Sequence, residues 1–339
     1  MSYQRTAKGN ITIDILRKFP DAPHRQLAKI LMRDNPLLFN DEENARSCLR
    51  YYAGTIGKFN RRYAKTKDMF RDKEKGEMLR TNPFGLPNSL MDHWHPVRLP
   101  VQAGKGLGIF DSHIPYHDRK ALEVCIRWAL DNGHTDFVLL GGDIIDCYQL
   151  SRFDRDPTKA KFLDELEILG KFFDALRRAF PDAKIFWRHG NHEYWLTRMF
   201  KRKAPELFGL ETFIWNDYLT LEDRGITMFK HDVPLTVGKL NIIHGHELMQ
   251  VSNAVNPARG AYLKAVECIV EGHWHRTSQH AEMSFSRRLD TAWSVGCTCC
   301  LWPEYARINK WNHGFMGLEV NGNDFTIRNE RIVQGDLVR

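Results

Sequence analysis

Five short polar blocks constrain what this chain can fold into, because each one follows an apolar run of strand length. Gly108-Ile109-Phe110 leads into Asp111-Ser112-His113, and Phe137-Val138-Leu139-Leu140 into Gly142-Asp143-Ile144-Ile145-Asp146. Lys184-Ile185-Phe186-Trp187 leads into Gly190-Asn191-His192-Glu193. Leu240-Asn241-Ile242-Ile243 leads into His244-Gly245-His246, and Ile269-Val270 into Gly272-His273-Trp274-His275. Helical patterns fall between them: Leu122, Val124, Cys125 and Trp128 share one stripe, and a long helix is expected over residues 160–179. This strand, loop and helix rhythm predicts a layered α/β fold with the polar blocks on loops at strand ends. Residues 314–333 predict a closing hairpin, Phe315 to Val320 and Phe325 to Val333, turning at Asn321-Gly322-Asn323.

Residues 11–80 have a different pattern. Ile11, Ile13, Ile15 and Leu16 precede Pro20, and Leu27, Ile30 and Leu31 sit at helical spacing between Pro23 and Asn35. Asn40 followed by Glu43 predicts an N-cap with a capping-box partner, opening a helix with Ala45, Cys48, Leu49 and Tyr52 on one face. Three short helices ending at Gly54-Thr55-Ile56-Gly57 resemble a helix-turn-helix module. Prolines at 83, 87 and 96 punctuate residues 81–100. The expected organisation is therefore a helical basic domain at 1–80, a linker at 81–100 and a larger domain at 101–339.

Charge separates the same regions. The whole chain carries +7, yet residues 1–100 hold 19 Lys and Arg against 11 Asp and Glu, a balance of +8. Arg61, Arg62, Lys65 and Lys67 cluster there, with Phe59 and Tyr63 interleaved. Such a segment can grip phosphates and stack on bases, so nucleic acid, DNA first, is the expected partner. A solvated basic face is the competing explanation. No apolar run reaches the roughly 20 residues of a membrane helix, and residues 1–20 lack the apolar stretch of a signal peptide. Seven cysteines, an odd number, point to reduced thiols and a cytoplasmic location. No protein partner is evident.

The polar blocks carry the chemistry. Carboxylate, amide oxygen and imidazole together suit divalent transition metals of borderline hardness. Asp111 and His113 are two residues apart, so a strand-end loop can turn both toward one point. Asp143 has two oxygens with which to bridge two ions. Glycines at 142, 190, 245 and 272 permit tight turns and close backbone approach.

In order and spacing, D-x-H, G-D-x-x-D, G-N-H-E, H-G-H and G-H-x-H resemble the calcineurin-like metallophosphoesterase superfamily, over about residues 105–280. That resemblance implies a β-sandwich flanked by helices, here with a small all-α N-terminal domain added. It implies one metal on Asp111, His113, Asp143 and His275 and a second on Asp143, Asn191, His244 and His273. Manganese is the first expectation, with iron or zinc as alternatives. It implies that His192 is the catalytic histidine beside the leaving oxygen and that Asp146 orients and charges it. Glu193 is expected to support the loop or a ligand imidazole, and His246 to sit behind the ligands or beside substrate. Solvent between the cations would attack phosphorus in line.

The Ser/Thr phosphatase branch places an arginine after the second aspartate of G-D-x-x-D, where this chain has Cys147, and Arg188 comes one residue early for that branch's second arginine. These departures argue against a phosphoprotein phosphatase, and the charge asymmetry with the helix-turn-helix resemblance makes the expected function a phosphodiesterase or nuclease acting on DNA held by the N-terminal domain. The alternatives are a phosphomonoesterase or small-nucleotide phosphodiesterase, and a non-catalytic DNA-binding regulator. Arg152, shortly after the second block, is a candidate substrate contact. Cys297, Cys299 and Cys300 do not match the paired spacing of structural zinc sites and are expected to be buried strand residues. Trp293, Trp302, Trp311 and Phe315 are expected to belong to a core more than to a cleft.

Overall fold

A computed structural model describes residues 6–55, 94–248 and 255–338. The chain divides into two compact units, Met1–Asp92 and His93–Arg339. Arg61, Arg62, Lys65 and Lys67, and with them the expected nucleic-acid-binding segment and most of the linker, lie outside the described residues.

Among its described residues the first unit contains three helices, α1 (Ala7–Lys18), α2 (His24–Asp34) and α3 (Glu42–Tyr52). Their apolar stripes meet in a small core of Leu16, Leu27, Ala28, Leu31, Phe39, Ala45 and Leu49. Thr6 caps α1, its hydroxyl accepting the Gly9 N–H at 3.2 Å. The cap of α3 differs from the sequence expectation. Asp41, not Asn40, accepts the Asn44 N–H, at 2.6 Å. A charged carboxylate at the positive end of the helix is the stronger acceptor. Glu43 then turns outward to Arg46 and Arg50 instead of closing a capping box.

The second unit is built on two mixed sheets flanked by helices. In the larger sheet β2 (Ala103–Ile109), β3 (Phe137–Leu140), β4 (Lys184–Arg188) and β5 (Ile226–Phe229) are parallel. The predicted hairpin, β11 (His313–Asn321) and β12 (Asp324–Val333), adds to β2 antiparallel, and β13 (Asp336–Val338) pairs with β12. The smaller sheet contains β1 (Val97–Arg98), β6 (Leu235–Val237), β7 (Leu240–Ile242), β8 (Ile269–Glu271), β9 (Ser278–Met283) and β10 (Leu289–Ser294). The strand order is β13-β12-β11-β2-β3-β4-β5 in the larger sheet and β1-β6-β7-β8-β10-β9 in the smaller.

Phe110, Phe137, Leu139 and Phe186 from one sheet pack on Leu240, Ile242, Val270 and Trp293 from the other, and this apolar layer sets the sandwich. The outer face of the larger sheet is covered by α4 (Arg119–Asp131) and α5 (Phe162–Ala179), through Leu122, Cys125, Leu169 and Phe173. These strands are buried on both faces, which is why Phe137–Leu140 reads as a continuous apolar run. A further helix, α6 (Asn191–Lys203), begins inside the third polar block. The last, α7 (Pro257–Ala265), covers the smaller sheet through Ala258, Ala261 and Tyr262. Among the aromatics expected in a core, Trp293 and Phe315 are buried, whereas Trp302 is 68% exposed. Among the described residues no helix is long and apolar enough to cross a membrane.

Candidate metal centre

All five polar blocks leave strand ends on one edge of the sandwich. Asp111 follows β2, Asp143 follows β3, Asn191 follows β4, His244 follows β7 and His273 follows β8. The backbone explains how residues two apart converge. Asp111 and His113 both have left-handed φ, 52° and 49°, and so do His273 and His275, at 67° and 54°. Asp143 is left-handed too, at 50°. Each such non-glycine conformation costs roughly 1–3 kcal/mol, and clusters of them mark sites where geometry is held by the surrounding structure.

The side chains form one compact cluster. His275 Nε2 lies 3.3 Å from Asp111 Oδ1 and 3.2 Å from His113 Nε2. His244 Nε2 lies 3.1 Å from Asp143 Oδ2 and 3.7 Å from Asp111 Oδ1. Asp143 Oδ2 is also 4.0 Å from His113 Nε2 and 3.7 Å from His192 Nε2, so this one oxygen sits between both halves. The other oxygen, Oδ1, accepts the His192 N–H at 2.9 Å, at the start of α6. Donor atoms group as Asp143, His244 and His273, as His113, Asp143 and His192, and as His113, His275 and Cys299.

Among the described residues the buried Asn191 Oδ1 has no hydrogen-bond partner, and Asp111 Oδ1 and His244 Nε2 meet only charged ligand atoms, His275 Nε2 and Asp143 Oδ2, without hydrogen-bond geometry. Buried polar atoms are rarely left so, because each costs roughly 1–3 kcal/mol. Burial alone would lower the His244 and His275 imidazoliums. Asp143 and Asp111 instead hold His244 up to about 9, and Asp111 with the nearby Cys297 holds His275 up to about 10. The cluster is thus short of positive charge and rich in lone pairs, which fits divalent cations.

Around it lie supports of three kinds. Glu193, fully buried, accepts the N–H groups of Gly190 at 2.7 Å, Ile144 at 2.8 Å and Asp143 at 3.1 Å, tying two of the polar loops together. The Asp146 carboxylate makes its closest contact with His113 Nδ1, at 2.8 Å, and stands 3.4 Å from His192 Nδ1. His192 Nδ1 is held instead by the Asp146 carbonyl, at 2.6 Å. Trp195 stacks on the His192 ring at 3.8 Å. Burial opposes its protonation, but Asp143 and Asp146 hold the His192 imidazolium up to about 9.

Arg188 has no face toward a substrate. Its guanidinium is fully buried, donating to the carbonyls of Val233, His189 and His231 and to Glu247. Glu247 also accepts the Gly245 N–H, so this pair braces the fourth block. His246 contacts Glu247 at 3.3 Å and faces a cleft of about 1110 Å³. That cleft is lined by Asn191, His192, His246 and His273 on one side, and by Arg152, Phe153, Trp195, Arg198 and Tyr305 on others. Sequence reasoning passed over Trp195, Arg198 and Glu247. Position i+3 from His192 on a helix was the available signal for Trp195, once α6 was seen to start at Asn191. Cys297 and Cys299 are buried, as expected, but they lie outside regular strands, in isolated bridges beside the hairpin, and Cys300, also expected to be buried, is exposed because it stands where the chain leaves that bridge. Cys299 Sγ is 3.7 Å from His275 Nδ1.

A family model described as calcineurin-like phosphoesterase matches residues 107–292, more than half the chain. The Gene 54 protein of Mycobacterium phage L5 is 24% identical over 228 residues, covering 63% of this chain and 88% of the relative. That of Mycobacterium phage D29 is 23% identical over 227 residues, with the same coverage. Among solved structures, Vacuolar Protein Sorting 29 from Cryptosporidium parvum aligns with a TM-score of 0.39 at 14% identity, over 70% of this chain and 96% of its own. Zinc-bound Vps29 from Entamoeba histolytica aligns at 0.35 and 15%, over 69% and 96%. Structural similarity this low carries no functional inference. The family match, over residues that include all five polar blocks, does: this chain belongs to the calcineurin-like phosphoesterase family.

Proposed function

We propose that the protein is a two-metal phosphoester hydrolase acting on phosphodiesters. Asp111, His113, Asp143 and His275 would hold one cation, and Asp143, Asn191, His244 and His273 the other. One observation carries this reading: Asp111 Oδ1, Asp143 Oδ2, His244 Nε2 and His275 Nε2, from four separate loops, converge in one buried cluster, and among the described residues the buried Asn191 Oδ1 of the third block has no hydrogen-bond partner. Two divalent cations supply charge stabilisation and solvent activation at a phosphoryl centre. Manganese suits this nitrogen and oxygen set, with iron and zinc as alternatives.

The chain's own contribution is clearest at His192. Its Nδ1 is engaged by the Asp146 carbonyl, which leaves Nε2 to give a proton to a departing oxygen. Trp195 beneath the ring fixes its plane. Asp146 positions His113 as much as it charges His192. The alternatives are a phosphomonoesterase or small-nucleotide phosphodiesterase, and a non-catalytic regulator.

The cleft is large enough for a nucleotide-sized diester, and its aromatic walls suit a base. DNA recruited through Arg61, Arg62, Lys65 and Lys67 is the larger form of the proposal, and it rests on charge balance. A substrate panel tests the reading in the presence of manganese, iron or zinc. It comprises bis-p-nitrophenyl phosphate, p-nitrophenyl phosphate, cyclic nucleotides, single- and double-stranded DNA, and RNA. The diester should be cut faster than the monoester. Full metal loading with no hydrolysis of any member would favour the non-catalytic alternative.

A further inference from the structure

We propose that Arg152 and Arg198 form a subsite for the phosphate next to the scissile one, so that the substrate is a single strand of nucleic acid. This rests on the hydrolase reading above and deepens it. Arg198 and His192 both project from α6 into the same cleft, with Trp195 midway between them. Trp195 stacks on His192 at 3.8 Å, and the Arg198 guanidinium lies over the Trp195 ring, 5.8 Å from its centroid. Spacings of three residues place the indole between imidazole and guanidinium. Six residues of helix amount to about 9 Å of rise. Arg198 is thereby set back from the phosphoryl group that His192 would serve, at the distance of a neighbouring group on the same chain.

Arg152 enters the cleft from the loop after the second polar block, its guanidinium 5.1 Å from the centre of the Phe153 ring. Among the described residues neither arginine is paired with a carboxylate. The acidic residues lining the cleft are Asp146, already engaged by His113 and His192, Asp154, and Glu304, which is engaged by Lys159 at 3.0 Å. Arg198 is held below its ordinary value by burial, with repulsion from Arg202 and Arg152 adding. Two unpaired, mutually repelling guanidiniums gain most from an anion between them. Phe153 and Tyr305, 64% and 67% exposed, offer faces on the same cleft to unstacked bases. Bases in a duplex are not free to take such contacts, which favours a single strand. A phosphomonoester or an isolated diester has no second phosphate and would leave both arginines unused.

The test pairs protein and substrate changes in the full-length protein. Arg152→Gln and Arg198→Gln, singly and together, are assayed on bis-p-nitrophenyl phosphate and on decathymidylate. A second decathymidylate carries neutral methylphosphonates at every linkage except one central phosphodiester. The double variant should lose roughly tenfold or more in kcat/KM on decathymidylate relative to bis-p-nitrophenyl phosphate. The neutral-flank oligomer should be cut by wild type at the reduced rate, and the variants should lower it no further. Equal losses on all substrates, or no selective loss, overturn the subsite. Decauridylate in parallel distinguishes RNA from DNA as the strand. If wild type cuts neither bis-p-nitrophenyl phosphate nor oligomers, the hydrolase reading fails. Binding of fluorescent decathymidylate then decides the subsite alone: weakening in both variants keeps it, and unchanged affinity overturns it.

Discussion

Asp143 is where the two halves of the proposed centre meet. Its Oδ2 faces His244, His192 and His113 while its Oδ1 is taken up by the His192 N–H. Asp143→Ala should therefore empty both sites, read as near-zero bound metal by elemental analysis. His192→Ala should behave differently, keeping metal near wild type while turnover falls about 100-fold or more. Full activity of that variant toward a substrate with a poor leaving group would remove His192 from the chemistry. Glu193 makes a third case, because it touches no ligand side chain. Glu193→Ala strands three backbone N–H groups in a dry interior. Stability in urea should drop by on the order of 3 kcal/mol or more. At this scale the sequence is informative about which residue types gather, since D-x-H and G-H-x-H spacing anticipates convergence. It is silent on the left-handed backbone at residues 111, 113, 273 and 275, which is imposed by the loops and achieves that convergence. It also gives no sign that Asp146 would favour His113 over His192, because that depends on a peptide carbonyl occupying His192 Nδ1.

Elements fix the loops on which those residues sit. The strand ends before blocks one to five are readable because buried parallel strands are short and apolar throughout. Strands β5, β6, β9 and β10 carry no comparable signal. In β9, Ser278–Met283, most positions are exposed and polar, so neither a continuous run nor a clean alternation marks it. Helix α6 escapes a reading of the sequence for another reason: its first turn is the Asn191-His192-Glu193 motif itself, and a metal-loop signature hides a helix start. Close packing there leaves no room at Gly190. A Cβ on residue 190 would come within 2.2 Å of Asp143 Oδ1 and 2.6 Å of its backbone nitrogen. Gly190→Ala should displace Asp143, cost roughly 1–3 kcal/mol as an overpacked site does, and weaken metal binding. Wild-type metal affinity in that variant, measured by titration, would show that the loop relaxes without moving the carboxylate. In the first unit, Asp41→Ala should cost about 1 kcal/mol, the usual scale of a lost N-cap, whereas Asn40→Ala should cost little.

For the whole molecule, every proposed ligand lies in the second unit. No proposed ligand precedes Asp111, so a shortened chain starting near residue 94 should retain hydrolysis of bis-p-nitrophenyl phosphate. Binding of long DNA by the full-length protein should weaken steeply with salt through counterion release, and the shortened chain should lose much of that dependence. Equal DNA affinity of the two forms across salt concentrations would transfer nucleic-acid recognition entirely to the cleft. The fold class is legible because apolar runs and helical stripes alternate in the order that a two-sheet, helix-flanked sandwich requires. The cleft is not, since its aromatic and arginine walls are drawn from segments far apart in sequence, Arg152, Trp195 and Tyr305 among them. The central claim is the pair of cations. Anomalous diffraction from crystals loaded with manganese tests it most directly. Two peaks about 3.5–4 Å apart, on either side of the Asp143 carboxylate, are the expected result. A single peak elsewhere, or none at full manganese occupancy with Asp143 turned away from His113 and His244, would contradict it.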